Sequence, residues 1–83
     1  MIATTTKNGK CVRLTADYHL DTETVYYYVE CGKVSFEFNH FGPAARVYKN
    51  LSRMIVGGWL AEENLNNLVE AARAMGYKVT EVE

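Results

Sequence analysis

Apolar and polar residues alternate in two stretches of the first forty positions, the pattern that a strand with one buried face requires. From Lys10 to Tyr18, Val12, Leu14, Ala16 and Tyr18 fall on one side, with Arg13, Thr15 and Asp17 on the other. From Val34 to about His40, Val34, Phe36 and Phe38 alternate against Ser35, Glu37 and Asn39. Thr24 to Cys31, between them, is dense in β-branched and aromatic residues, and Ile2 to Lys7 reads as a strand ahead of the set.

The turns set the pairing. Asn8-Gly9 tolerates positive φ at both positions, as a type I′ hairpin turn demands, and should join the first two strands. Gly32-Lys33 suits a two-residue turn with glycine first. It places Cys31 opposite Val34, Val29 opposite Phe36 and Tyr27 opposite Phe38. Leu14 opposite Val29 and Ala16 opposite Tyr27 extend the same face, and a slip of one residue would mix apolar with polar. The predicted core face is therefore Val12, Leu14, Ala16, Val25, Tyr27, Val29, Cys31, Val34, Phe36 and Phe38.

The period then changes. After Gly42-Pro43, a helix start, Ala44, Val47, Tyr48, Leu51 and Ile55 recur at three and four residues, and Gly57-Gly58 should end this helix. A second helix is expected from about Leu60 to Met75, with Leu65, Leu68, Val69, Ala72 and Met75 as its apolar stripe. Glu62 and Glu63 in its first turn and Arg73 in its last suit the helix dipole. Gly76 fits the left-handed terminal position, and Tyr77 to Val82 reads as a short edge strand. The predicted architecture is α+β: an antiparallel four-stranded meander, five-stranded if the tail pairs, with two helices packed on one face in the order ββββαα(β). Residues 1–83 make one domain, since 83 residues supply one core and not two.

Composition narrows the function classes. Nine basic against ten acidic residues leave a net charge of −1, without the basic excess that phosphate neutralisation favours. No run approaches the ~18 apolar residues of a membrane span, and Met1 to Thr6 lacks the charged-then-apolar order of a signal peptide. The reading is a cytosolic protein with no membrane partner.

Catalytic and metal signatures are sparse. Cys11 and Cys31 point to opposite faces in the favoured register, so no disulfide is expected. Without a Cys-x-x-Cys or clustered histidines, no metal site and no cofactor are expected. His19 lies near Asp17 and Asp21, but a triad would need Ser35, on a flat strand, or Ser52, mid-helix. Neither sits at a strained turn, so no catalytic residue is assigned. The glycines form no phosphate-binding loop.

Two surfaces remain. Tyr26 and Tyr28 should stand on the far face of the sheet among Arg13, Thr15, Glu30, Glu37 and Asn39, a tyrosine centre with a charged rim that resembles protein interfaces. The plainer reading is that tyrosine simply suits strands. Aromatics on a sheet also stack single-stranded bases, but Glu30 and Glu37 would repel the backbone. On the first helix, Arg46, Lys49 and Arg53 form a basic ridge opposite the apolar stripe, suited to phosphate or to an acidic patch, or merely solvated. Trp59 is expected to plug the core where the helices turn; an exposed Trp there would instead be a binding anchor.

These observations point to a non-enzymatic protein-binding module that occludes or bridges a macromolecular partner through Tyr26, Tyr28, Arg13, Glu30 and Glu37. The partner would be another protein or a second copy in a homodimer. An inhibitor of a host protein, of viral or mobile-element type, fits a small domain without chemistry. The alternative is nucleic-acid binding through Arg46, Lys49 and Arg53.

Overall fold

The computed structural model describes residues 1–82. Its elements are β1 (Ala3–Lys7), β2 (Lys10–His19), β3 (Thr24–Cys31), β4 (Val34–Phe38), α1 (Phe41–Gly57), α2 (Glu62–Ala74) and β5 (Lys78–Glu81). All five strands form one antiparallel sheet in the order β1-β2-β3-β4-β5. The ββββαα(β) architecture read from the pattern is the one adopted.

Local chemistry sets the hairpins. Asn8 and Gly9 both hold positive φ, 53° and 78°, and Gly32 opens its turn at 60°. The resulting pairs include Leu14 with Val29, Ala16 with Tyr27, Val29 with Phe36 and Tyr27 with Phe38, the register that burial favoured. β5 adds the element whose pairing the pattern left open: it lies along β4, with Val79 opposite Phe36.

Both helices cover one face. Ala44, Leu51 and Ile55 of α1 and Val69 and Ala72 of α2 are buried with Val12, Leu14, Val29, Cys31, Val34, Phe36, Phe38 and Val79. Phe36 and Phe38 stack with ring centres 6.5 Å apart, and Tyr77 meets Phe38 edge-on at 4.9 Å. Polar ties hold α1 to the sheet edge. Thr5 Oγ1 accepts from Ser52 Oγ at 3.0 Å and lies 2.8 Å from the Tyr48 hydroxyl. The Lys7 and Lys10 ammonium groups donate to the carbonyls of Val56 and Leu60 at 2.8 Å, satisfying acceptors at and beyond the helix end.

Four expectations need correction. The core face stops short of its predicted length: Ala16 is exposed, and Val25 and Tyr27 are only part-buried. β2 and β3 are ten and eight residues long while β1 and β4 are five, so the far end of the β2–β3 hairpin runs past both the flanking strands and the helices. The molecule accordingly measures 40 Å in one direction and 26 and 25 Å in the others. Trp59 is no core plug. It is 54% exposed and folds back over Gly57, because the turn ending α1 is closed by Gly58 N–H to Ile55 O and Trp59 N–H to Met54 O, which aims the indole at the helix surface. Met75 leaves the α2 stripe at 69% exposure, since the helix has ended at Ala74. β4 ends at Phe38 rather than near His40, because His40 already caps α1.

Candidate protein-binding surface

Among the described residues, no element covers the face of the sheet opposite the helices. Register lays its side chains out in rows. One row crosses all five strands: Thr4, Arg13, Glu30, Ser35 and Thr80. The next runs Thr15, Tyr28, Glu37 and Lys78, and beyond it stand Asp17 and Tyr26 on the overhanging hairpin. Tyr28 thus sits near the middle of the face and Tyr26 at its outer end, both part-buried by their neighbours. Arg13 and Glu30 are exposed, and Glu37 is part-buried. The five residues singled out for partner binding share one continuous face.

The charged groups of neighbouring strands on this face stay apart from one another. Arg13 faces Glu30 and Glu37 faces Lys78 across neighbouring strands, yet neither pair closes to ion-pair distance. The ion pairs among the described residues are His19 with Asp17 and Arg73 with Glu70. Burial, then the adjacent Glu37 carboxylate, pushes the Tyr28 phenol above its usual value.

Three residues of this face escaped the pattern. Lys78 and Thr80 reach it only through the pairing of β5 with β4, a contact between segments more than forty residues apart. His19 rests edge-on against Tyr26 at 4.5 Å, and its Nε2 lies 3.1 Å from Asp17 Oδ2 without hydrogen-bond alignment. Cys11 lies on this face, as the favoured register expected, 3.5 Å from Thr4 Oγ1, and the Thr4 and then the Thr6 hydroxyls hold its thiol below the usual value. Alternation of Asp17 with His19 along β2, and of Lys78 with Thr80 about Val79, was the available signal.

The remaining candidates lie apart. His19 pairs with Thr24, whereas Ser35 pairs with Glu30, six residues along β3 and therefore roughly 20 Å away. Ser52 hydrogen-bonds to Thr5 on the helix side of the sheet, so neither serine joins His19. Arg46, Lys49 and Arg53 are exposed on α1, and no hydrogen bond or ion pair engages them among the described residues. A cleft of about 750 Å³ opens where the Gly9 and Gly32 turns approach the start of α2, lined in part by Cys31, Val34, Leu60 and Leu65. Burial pushes the Cys31 thiol above its usual value, which disfavours the thiolate. Among the described residues no helix is long and apolar enough to cross a membrane, and no three His, Cys, Asp or Glu side chains converge as metal ligands.

No protein-family model matches the chain, and neither a curated protein nor a solved structure does.

Proposed function

We propose that this chain is a non-enzymatic protein-binding module that occludes or bridges a macromolecular partner through its open sheet face. The observation that carries this reading is the uncovered face itself: Tyr26 and Tyr28 stand among Arg13, Glu30 and Glu37, whose charges form no ion pair among the described residues. Tyrosine supplies area and a hydrogen-bonding tip at low entropic cost, and the charged rim supplies specificity. An inhibitor or adaptor needs no more than this.

The test uses tagged chain as bait in extract of its native host. The variant with Tyr26→Ala and Tyr28→Ala should lose the specific partner while keeping its fold by circular dichroism. Alkylation of Cys11, which lies on the same face, should slow when the partner is bound. Retained capture by the double variant, or an unchanged Cys11 rate in the complex, refutes the proposal.

One observation favours a second reading. α1 carries Arg46, Lys49 and Arg53 with no acidic residue, and none of the three forms an ion pair among the described residues. Binding of mixed-sequence duplex that weakens steeply with salt and vanishes on Arg46→Glu with Arg53→Glu would support nucleic-acid binding; no binding at low salt removes it.

A further inference from the structure

The overhanging end of the β2–β3 hairpin has a pattern that a free arm does not need. Its helix-side face is apolar: Ala16, Tyr18, Val25 and Tyr27, with Leu20 at the tip and Phe41, the first residue of α1, edge-on to Tyr27 at 5.7 Å. Tyr18, Leu20 and Phe41 are 54%, 81% and 48% exposed. A two-stranded ribbon alone is marginally stable in water, and its open edges invite pairing. Here the apolar face of the ribbon continues past the N-terminal end of α1, where Phe41 meets Tyr27.

The charges bear on what covers that face. Residues 15–28 contain Asp17, Asp21 and Glu23 and no lysine or arginine, while α1 contains Arg46, Lys49 and Arg53 and no acid. The molecule is therefore complementary to itself: an acidic tip at one place, a basic helix face at another. The spacing agrees. Packed sheets stand roughly 10 Å apart, and a helix with its side chains is roughly 10–12 Å thick. A second ribbon laid against the first would thus occupy the layer that α1 fills over the rest of the sheet.

We infer that two copies of this chain associate about a two-fold axis through their overhanging ribbons. The helix-side faces pack on each other, and each acidic tip reaches the other copy's Arg46 and Lys49. Because the contact is isologous, each charge pairing occurs twice. A standard interface buries roughly 800 Å² per partner, about one-seventh of this chain's 5528 Å² surface, so ribbon and helix face both have to take part. The contact lies on the opposite side of the sheet from the proposed partner face and leaves that face free.

Sedimentation velocity and light scattering over a range of chain concentrations test this. The wild-type chain should shift from monomer to dimer. Tyr18→Asp with Leu20→Asp, both exposed positions, should leave monomer at every concentration with the fold intact. Two charge variants sharpen the assignment. Asp21→Lys with Glu23→Lys, and separately Arg46→Glu with Lys49→Glu, should each raise the dimer Kd about tenfold or more, because like charges now meet. Mixed together, those two variants should form a heterodimer of near wild-type affinity, since both tip–helix pairings become opposite again. Tyr26→Ala with Tyr28→Ala should leave the dimer unchanged. A wild-type monomer throughout, a dimer indifferent to Tyr18→Asp with Leu20→Asp, a failure of the mixture to recover, or a dimer lost with Tyr26 and Tyr28 would each overturn the inference. None of the first three bears on the open-face proposal, so the two readings fail separately.

Discussion

Val25 and Val29 lie on one strand, on the same face, four residues apart, yet only Val29 is under the helices. It is fully buried, whereas Val25 stands on the overhang and is part-exposed. Replacing each by alanine therefore separates burial from strand chemistry. Val29→Ala loses two methyl-sized groups at about 0.8 kcal/mol each. A residual cavity of about 50 Å³ that fails to collapse adds about 1 kcal/mol. The total is about 2–3 kcal/mol. At Val25 the transfer loss is partial and water fills the space, so the cost should stay below about 1 kcal/mol. The gap of about 1.5–2 kcal/mol corresponds to roughly 6–16 °C in Tm for a domain of this size. Urea unfolding with thermal melts, in solutions dilute enough to hold the chain monomeric, measures both. Equal costs at the two positions would refute the conclusion that the helical layer ends between them. A Val25→Ala cost that appears only as chain concentration rises would instead report the ribbon contact between copies.

Two further outcomes follow from specific contacts. A Cβ at Gly57 would stand inside the Trp59 indole, and Gly57 has no positive φ to forbid alanine; because the indole is half-exposed it should swing out. Gly57→Ala should shift Trp59 emission to longer wavelength while stability changes by no more than about 1 kcal/mol, since better helix propensity offsets lost packing; unchanged emission with a large loss of stability contradicts that geometry. The thiols should behave oppositely with pH: Cys11, held below the usual value by the Thr4 and Thr6 hydroxyls, should alkylate at lower pH than a free cysteine, while Cys31, raised by burial, should react only on unfolding. The sign for Cys31 follows: its contribution to stability is present below the ordinary thiol value of about 8.5 and is lost as pH rises past it, seen as a pH-dependent difference from Cys31→Val in a Cys11→Ser background.

Much of the candidate surface was legible from local sequence because a strand's two faces follow from a period of two. Once Asn8-Gly9 and Gly32-Lys33 fixed the turns, the parity of each position placed Arg13, Tyr26, Tyr28, Glu30 and Glu37 together on one face. Lys78 could not be placed with them, because nothing local states which strand β5 joins. His19 against Tyr26 was hidden for a different reason: alternation gives the face, while the meeting of two rings depends on twist and rotamers.

By itself the sequence determined the first four strands, their register and the side of the sheet to which each of their residues belongs. Those features rest on interactions between neighbours in the chain or across a tight turn, where few geometries compete. Tertiary structure alone decided how far the helices reach. The position of α1 across the sheet depends on close packing at Ala44, Leu51 and Ile55 and on ties such as Thr5 with Ser52. That placement left Ala16, Tyr18 and Val25 beyond the covered area, although their pattern is the same as that of Val12 and Leu14. Coverage is a property of where a second layer ends, and the spacing of residues within the first layer does not encode it.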